Sequence, residues 1–363
     1  MKKGSSADDL EQYRSRCTRF LLGHGNRSAA DLIAAIPTDL GLDRYGAGGA
    51  VGALEAEVRK ILGKPAAAFM PGGTMAQQIA LRIHADRRGS RVVAWHPTCH
   101  LEIHEDKAYQ RMHGLVGVNV GSPRSLMTLE SLRAIPEKLA AVLFELPQRE
   151  IGGRLPSWDE LREQVDHVRS RGAAAHMDGA RLWESTTFYG KTPKQVAALF
   201  DSVYVSFYKG LGALAGACLA GDEDFIAEAR AWRKRHGGTL FGMWPNAASA
   251  LAGLRQRLPL MPRYVEHARA IAAELSQVDG LEVVPDPPQT PMFHLLLRGD
   301  GERLGEAALA VAEERKVFLF AEPGPTTSPG WQRHEVMVGE PTLQLTPAEL
   351  RELYEEILAR AAH

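Results

Sequence analysis

One lysine stands between two very different stretches in VYVSFYKGLGALAG, residues 203–216. An apolar, β-branched run precedes Lys209, and a string of glycines and alanines follows it. The amine is either a strand-end charge that reaches water, the usual fate of a lysine, or a nucleophile held in a pocket for chemistry. Two other loops bear on this choice.

Both of these loops also follow apolar runs. In AAFMPGGTMAQQIAL, residues 67–81, a Pro-Gly-Gly-Thr turn opens a helix-like segment, so the backbone N–H groups of Gly73 and Thr74 can bind a phosphate at a helix N-terminus. A plain turn capped by Thr74 is the alternative. In AAAHMDGARLWES, residues 173–185, Asp178 ends a buried-looking strand, where open α/β sheets bind ligands. A structural ion pair between Asp178 and Arg181 is the alternative here.

Taken together, the three loops match the needs of a pyridoxal phosphate enzyme. Such an enzyme requires an anion site, a carboxylate for the pyridinium nitrogen and an amine for a Schiff base. Gly73 and Thr74, then Asp178, then Lys209 supply these groups in chain order. Small residues after the lysine let the backbone pass close to the cofactor.

The elements that must position these residues alternate along the chain. Almost purely apolar runs at 91–95, 139–146, 173–178 and 202–207 predict strands covered on both faces. Helical spacing separates them, as in 157–172, where Ser157 and Glu160 predict a capping box and Gly172 a C-terminal cap. This alternation predicts βαβ crossovers and a mostly parallel sheet.

After about residue 262 the pattern changes to that of a smaller α+β domain. Amphipathic helices are predicted at 263–276, 302–315 and 346–361, and strands at 291–299, 316–320 and 334–339. We therefore expect an N-terminal segment (1–40), a large domain (41–262) and a small C-terminal domain (263–363).

Composition excludes several classes of partner. The formal charge of -1, from 43 basic and 44 acidic residues, predicts neither nucleic acid nor an anionic membrane as a partner, and favours a small molecule. No apolar run is long enough for a membrane helix and the basic N-terminus lacks a signal-type apolar core, so a cytoplasmic protein is expected. Three widely spaced cysteines predict neither disulfides nor a zinc or other metal site.

Three segments carry a family resemblance: residues 44–81, HMDGARLWES (176–185) and SVYVSFYKGLGALAGACLAGDEDFIAEARAWRKRHGG (202–238). They resemble the low-specificity threonine aldolases, also called the β-eliminating lyase family, among fold-type I pyridoxal phosphate enzymes. The resemblance runs in order from about Gly41 to Gly238 and is weaker beyond. It implies a fold-type I α/β large domain with a mostly parallel sheet, an α+β C-terminal domain and pyridoxal 5'-phosphate as cofactor.

The resemblance also implies roles for individual residues. Lys209 matches the Schiff-base lysine, Asp178 the partner of the pyridine nitrogen, and Gly73 and Thr74 the phosphate ligands. Arg181 matches the arginine that binds the substrate carboxylate, a bidentate task that suits a guanidinium.

The block PTCHLEIHEDKAY, residues 97–109, adds two matches. With one inserted residue just before it, His100 matches the histidine that stacks on the cofactor ring, and Glu105 matches the family's glutamate in the same helix. An ordinary surface or core histidine is the alternative for His100.

Four departures surround the expected substrate position. Gly23 replaces a serine that helps to hold the carboxylate, Gln148 replaces the histidine usually near the substrate hydroxyl, Tyr208 replaces the serine before the lysine, and the second carboxylate-binding arginine is replaced near Met337. The cofactor set is intact, so these changes predict a remodelled substrate pocket.

Substitute substrate contacts are expected from the same region. Gln148 and His104 are predicted to contact substrate beside Arg181, with Arg149 and His24 as further candidates. For His104, Arg149 and His24, a bystander role is the alternative.

Three functions remain open from the residues. The first is retro-aldol cleavage of a β-hydroxy-α-amino acid to glycine and an aldehyde. The second is β-elimination or amino transfer on another amino acid, and the third is a non-catalytic pyridoxal phosphate protein. The resemblance implies a homodimer or homotetramer. The apolar, glycine-rich stretch at 238–254 suits either an interface or a buried helix.

Overall fold

The computed structural model describes residues 7–362, so the first six residues of the basic N-terminal stretch lie outside it. The strands are β1 (Arg19–Phe20), β2 (Ala66–Met70), β3 (Val92–Trp95), β4 (Val116–Asn119), β5 (Ala141–Glu145), β6 (Ala174–Gly179), β7 (Ser202–Ser206), β8 (Ala217–Gly221), β9 (Leu281–Val284), β10 (Met292–Arg298), β11 (Val317–Phe318), β12 (Gly324–Pro325) and β13 (Trp331–Met337). The helices are α1 (Ala7–Arg16), α2 (Ala29–Ala34), α3 (Gly49–Leu62), α4 (Gly73–Arg88), α5 (His100–Ile103), α6 (Ala108–His113), α7 (Leu129–Arg133), α8 (Trp158–Ser170), α9 (Leu182–Tyr189), α10 (Pro193–Ala197), α11 (Glu223–Arg235), α12 (Trp244–Arg257), α13 (Met261–Leu275), α14 (Gly301–Arg315) and α15 (Pro347–Ala361). Short 3₁₀ turns lie at Arg149–Ile151, Leu258–Leu260 and Pro341–Gln344.

Two groups of residues are each compact. One comprises Leu32–Pro259, and the other joins the described residues up to Asp31 with those from Leu260 onwards. The division expected from the sequence, 1–40, 41–262 and 263–363, stays a prediction, because compactness does not test whether a segment folds alone.

The larger unit is built on one seven-stranded sheet of described residues, in the order β2-β8-β7-β6-β5-β3-β4. Pairing is parallel from β4 through β3, β5 and β6 to β7, and only β8 runs antiparallel to its two neighbours. The predicted mostly parallel sheet is confirmed. Strands β6, β7 and β8 are buried along their whole length, which explains their nearly unbroken apolar sequence.

Helices cover this sheet as their sequence periodicity predicts. On one face, Ala76, Ile79 and Ile83 of α4 pack with Phe225 of α11 against the apolar side chains of β2, β7 and β8. Helix α8 begins at the predicted capping box, in which Ser157 and Glu160 exchange side-chain to backbone hydrogen bonds. It ends at Ser170, two residues before Gly172, whose φ of 75° fits a left-handed helix stop.

The smaller unit contains a four-stranded antiparallel sheet of described residues in the order β12-β13-β10-β9. The predicted helices match α13, α14 and α15 to within two residues at each end. The strand predicted at 316–320 is shorter, at Val317–Phe318, and pairs in parallel with β1 from the N-terminal stretch. The strand predicted at 334–339 begins earlier, at Trp331, because its full length pairs with β10.

Two further sequence expectations concern the cysteines and helices long enough to cross a membrane. The three cysteines are free and buried, as expected for small hydrophobic side chains. Within residues 7–362, no helix is long and apolar enough to cross a membrane.

Candidate active site

Lys209 lies immediately beyond the carboxyl end of the buried strand β7. Phe207 is buried, Tyr208 is exposed and the Lys209 side chain is half-buried, lining two adjoining cavities. Burial lowers the pKa of its ammonium group, and the Arg181 guanidinium lowers it further, while Asp178 opposes both effects. The lysine is therefore held in a pocket rather than extended into bulk water.

The two cavities share three of the predicted residues: His100, Asp178 and Lys209. The Gly73 cavity, with about 210 Å³ of empty space, is lined by Gly73, Thr74, Gln77, His100, Glu105, Asp178, Tyr204, Tyr208 and Lys209. The Arg181 cavity, with about 270 Å³, is lined by His100, Glu145, Leu146, Pro147, Arg149, Asp178, Ala180, Arg181 and Lys209.

The Gly73 cavity combines a helix N-terminus with a buried hydrogen-bond donor. It contains the N-terminus of α4, whose cap residue is Gly72, so Thr74 lies within the first turn of the helix. The choice between a phosphate site and a plain turn stays a prediction. A Cβ at Gly73 would lie 2.1 Å from Tyr204 Oη, which leaves room for glycine alone. Gln77 Nε2 is buried here with no hydrogen-bond partner among residues 7–362. A buried donor without an acceptor calls for a bound acceptor group.

Asp178 lines both cavities. It lies near the end of β6, is 2% exposed, and accepts a hydrogen bond from the Ala180 N–H at 3.0 Å. Burial raises the pKa of this carboxyl group, and the positive charge of Lys209 opposes that rise. A buried carboxylate of this kind requires a cationic or protonated partner.

His100 is oriented by a chain of hydrogen bonds. Its Nδ1 lies 2.9 Å from Glu105 Oε1, and the other oxygen of Glu105 accepts from Gln78 Nε2 at 3.0 Å. Since a carboxylate only accepts, Nδ1 carries the hydrogen, and the ring is held at the wall of both cavities. The sequence matches to His100 and Glu105 therefore fall on contacting residues.

The Arg181 guanidinium lies beside the buried carboxylate of Glu184. Its Nε lies 3.6 Å from Glu184 Oε2, and both side chains are almost fully buried. A Cβ at Gly210 would lie 2.3 Å from Glu184 Oε1. Gly210, which follows Lys209, therefore leaves space for the Glu184 carboxylate. The sequence did not predict this contact.

Gln148 and His104 lie away from the lining of both cavities. Gln148 is buried, and its Nε2 donates to Thr98 Oγ1 and Glu145 Oε2, each at 3.3 Å. His104 contacts Glu150 at 3.1 Å and lies 3.5 Å from Arg149 Nη1. Arg149 itself lines the Arg181 cavity. The substrate roles of Gln148 and His104 stay predictions.

Two of the family departures are in contact within the smaller unit. A Cβ at Gly23 would lie 2.9 Å from Met337 Cγ and 3.1 Å from its Sδ. Met337 thus occupies the space that a larger side chain at residue 23 needs. The changes expected at these two positions are therefore sterically coupled.

Three residues of the cavities were missed by sequence reasoning: Gln77, Glu145 and Tyr204. Glu145 carried a readable signal, because it is an acid at the end of an apolar strand, as Asp178 is. Gln77 and Tyr204 carried none, since an amide in a helix and a tyrosine in a strand are ordinary in sequence.

Comparison with known proteins identifies the family. A family model described as beta-eliminating lyase matches residues 28–297. Low-specificity L-threonine aldolase 1 of Arabidopsis thaliana is 32% identical over 279 residues, which cover 74% of this chain and 77% of the relative. The chain belongs to the beta-eliminating lyase family.

Solved structures support the same assignment. A Listeria monocytogenes protein, provisionally named an L-allo-threonine aldolase, superposes with a TM-score of 0.91 at 38% identity, covering 97% of this chain and 98% of its own. An Exiguobacterium protein, provisionally named an aromatic amino acid beta-eliminating lyase/threonine aldolase, gives a TM-score of 0.91 at 36% identity, with 97% and 99% coverage. The fold of this beta-eliminating lyase is the fold-type I architecture expected from its sequence.

Proposed function

We propose that this chain is a pyridoxal phosphate-dependent lyase that cleaves a β-hydroxy-α-amino acid between Cα and Cβ, giving glycine and an aldehyde. The observation that carries the proposal is the meeting of Lys209, Asp178 and His100 at the wall shared by the Gly73 and Arg181 cavities. Family membership and the names of the relatives support the reaction class.

The residues of the Gly73 cavity fit the coenzyme. Gly73 and Thr74 at the N-terminus of α4, with the unmatched donor Gln77 Nε2, would hold the phosphate. Asp178 would keep a proton on the pyridine nitrogen, and Lys209 Nζ is the amine for covalent attachment. When bound, pyridoxal phosphate supplies a sink for the electron pair left at Cα.

The Arg181 cavity supplies the substrate side of the site. Arg181, braced by Glu184, presents a guanidinium that binds the substrate carboxylate. Arg149 lines the same cavity and would provide a second positive charge for the carboxylate. His100 faces both cavities, where its ring would pack on the coenzyme, with the substrate on the Arg181 side.

A product-resolved assay tests the reaction. Coenzyme-loaded protein is incubated with L-threonine, L-allo-threonine and L-phenylserine, and separately with L-serine and L-tyrosine, and products are identified by mass. We expect glycine with acetaldehyde or benzaldehyde, and none from Lys209→Ala. Pyruvate or phenol with ammonia, and no glycine, would support elimination instead. A new amino acid formed from added 2-oxo acid would support amino transfer.

Borohydride reduction tests the site independently of turnover. Reduction joins the coenzyme irreversibly to the lysine that carries it, and peptide mass mapping then locates that residue. We expect the label on Lys209, in the peptide containing SFYKGLG, and no label in Lys209→Ala. A label on another lysine would refute the assignment.

An oligomeric state and a cellular location are also proposed. The exposed apolar side chains of the larger unit include Leu42, Tyr45, Leu240 and Phe241. The Tyr45 and Phe241 rings contact each other edge to face. Such a patch favours burial against a second copy, so we propose a homodimer or homotetramer. Light scattering of the protein and of Phe241→Asp tests this. A cytoplasmic location is kept as a prediction that cell fractionation would check.

A further inference from the structure

Glu145 is a cavity residue to which no role has been given. It ends β5 and lies opposite Asp178 in the parallel register between β5 and β6. Its side chain is partly accessible and lines the Arg181 cavity together with His100 and Lys209. A carboxylate therefore lies where the substrate is expected.

Three N–H groups hold the Glu145 carboxylate in place. Oε2 accepts from the backbone N–H of His100 at 3.2 Å and from Gln148 Nε2 at 3.3 Å. Oε1 accepts from the backbone N–H of Arg149 at 3.1 Å. A carboxylate offers about four lone-pair sites, so Oε1 retains capacity for one more hydrogen. The group is both oriented and able to accept a proton.

Of the other groups near the expected substrate, only His100 also offers a basic atom. Its Nδ1 donates to Glu105, which leaves Nε2 unprotonated, but its ring is assigned to packing on the coenzyme. Gln148 is neutral and already bonded to Glu145 and Thr98, and His104 lies outside the lining of the Arg181 cavity. Asp178 is fully buried in the floor and is assigned to the coenzyme nitrogen.

We propose that Glu145 is the catalytic base that removes the proton from the β-hydroxyl of the substrate. The proposal rests on the proposed retro-aldol function. The hydroxyl proton passes to the Glu145 carboxylate, the Cα–Cβ bond breaks, and the oxygen and Cβ become the aldehyde carbonyl. The electron pair of the broken bond stays with Cα, which then takes a proton to become glycine, so atoms and electrons balance without an added reactant.

The charges around Glu145 suit a base that works near neutral pH. Burial and the neighbouring Asp178 carboxylate raise its pKa to about 7, against the opposing N–H of Arg149, the charge of Lys209 and the N–H of His100. A general base is most effective when its pKa lies near the working pH. The titratable or charged groups that face it or line its cavity are Cys99, His100, Arg149, Asp178, Arg181 and Lys209.

The main test distinguishes a catalytic base at Glu145 from a residue that only holds its neighbours in place. In Glu145→Gln we expect kcat for L-threonine and L-phenylserine to fall about 10²- to 10⁴-fold, the range of general-base contributions. Exchange of the glycine α-proton in D₂O, which breaks no Cα–Cβ bond and involves no hydroxyl, should stay within about threefold by NMR. The acid limb of kcat/KM near pH 7 should also disappear. Glu228→Gln, at an exposed pair with Arg87, is the matched control.

Chemical rescue covers the case in which Glu145→Gln folds poorly. In Glu145→Ala, added formate should restore cleavage in proportion to its concentration, because a small carboxylate can occupy the space and accept the proton. Coenzyme absorbance checks that the variant is loaded.

Each contrary result has a distinct meaning. Undiminished cleavage by Glu145→Gln, equal loss of cleavage and proton exchange, or no formate rescue would overturn the role of Glu145 while leaving the lyase function in place. Failure of the unmodified protein to cleave any β-hydroxy amino acid would overturn the proposed function and this inference with it.

Discussion

The contact between Gly73 and Tyr204 makes Gly73→Ala a sharp test of the Gly73 cavity. An alanine Cβ would lie 2.1 Å from Tyr204 Oη and 2.8 Å from its Cζ, whereas real Cβ contacts are essentially never below 3.0 Å. The tyrosine ring would have to move by about 1 Å. Tyr204 is only 3% exposed and packs among the side chains of α4 and β8, so this movement disturbs a close-packed core.

The expected cost follows from known overpacking. Inserting one methyl group into a packed core costs about 1–3 kcal/mol, and for a unit of this size each kcal/mol lowers Tm by roughly 2–4 °C. The displaced residues line the Gly73 cavity, which is the proposed phosphate site. We therefore also expect coenzyme affinity to fall at least about tenfold, equivalent to about 1.4 kcal/mol. Urea unfolding of the apo-protein and fluorescence titration with pyridoxal phosphate measure the two effects.

Two comparisons isolate the steric cause. Gly52→Ala, in α3, adds a methyl group with no atom within 4 Å and should leave stability unchanged or slightly raised. Tyr204→Phe removes the 2.1 Å contact, so in a double-mutant cycle it should recover part of the loss caused by Gly73→Ala, with a coupling of about 1 kcal/mol. If Gly73→Ala behaves like Gly52→Ala in both assays, the steric reasoning and the anion site built on it are refuted.

Asp178→Asn should retain coenzyme but lower turnover by about 10²- to 10³-fold, because a neutral amide no longer favours a protonated pyridine nitrogen; near-normal steady-state turnover would reduce Asp178 to a structural role. Burial lowers the pKa of His334 to about 3, so the folded state resists its protonation and loses stability as pH falls below about 6.5. His334→Gln should therefore lose about 1.4 kcal/mol less per pH unit than the unmodified protein between about pH 5.5 and 4.5, and equal slopes in urea unfolding would contradict this. Gly23→Ala should destabilise by about 1–3 kcal/mol alone and by less in a Met337→Ala background; additive free energies of unfolding would show that the two positions are independent.

Local features of the fold are readable from the sequence because their causes are local. The apolar runs at 141–145, 174–179 and 202–206 form strands, and the Ser157–Glu160 capping box starts its helix where expected. Each depends on burial of consecutive residues or on a turn of helix. The same holds for the strand-end positions of Asp178 and Lys209, from which a pyridoxal phosphate site is predicted.

Contacts between distant segments are decided only by the tertiary structure. The pairing of β5 with β6 sets Glu145 beside Asp178. The packing of α4 on β7 sets Tyr204 Oη against Gly73 and leaves Gln77 Nε2 without an acceptor among the residues that the structure describes. Nothing in the local sequence specifies these neighbours, since strand register and helix packing depend on the whole buried face. The sequence by itself determined which loops carry the chemistry, and the tertiary structure decided which carboxylate, amide and tyrosine share the cavities with them, because shared cavities arise from packing.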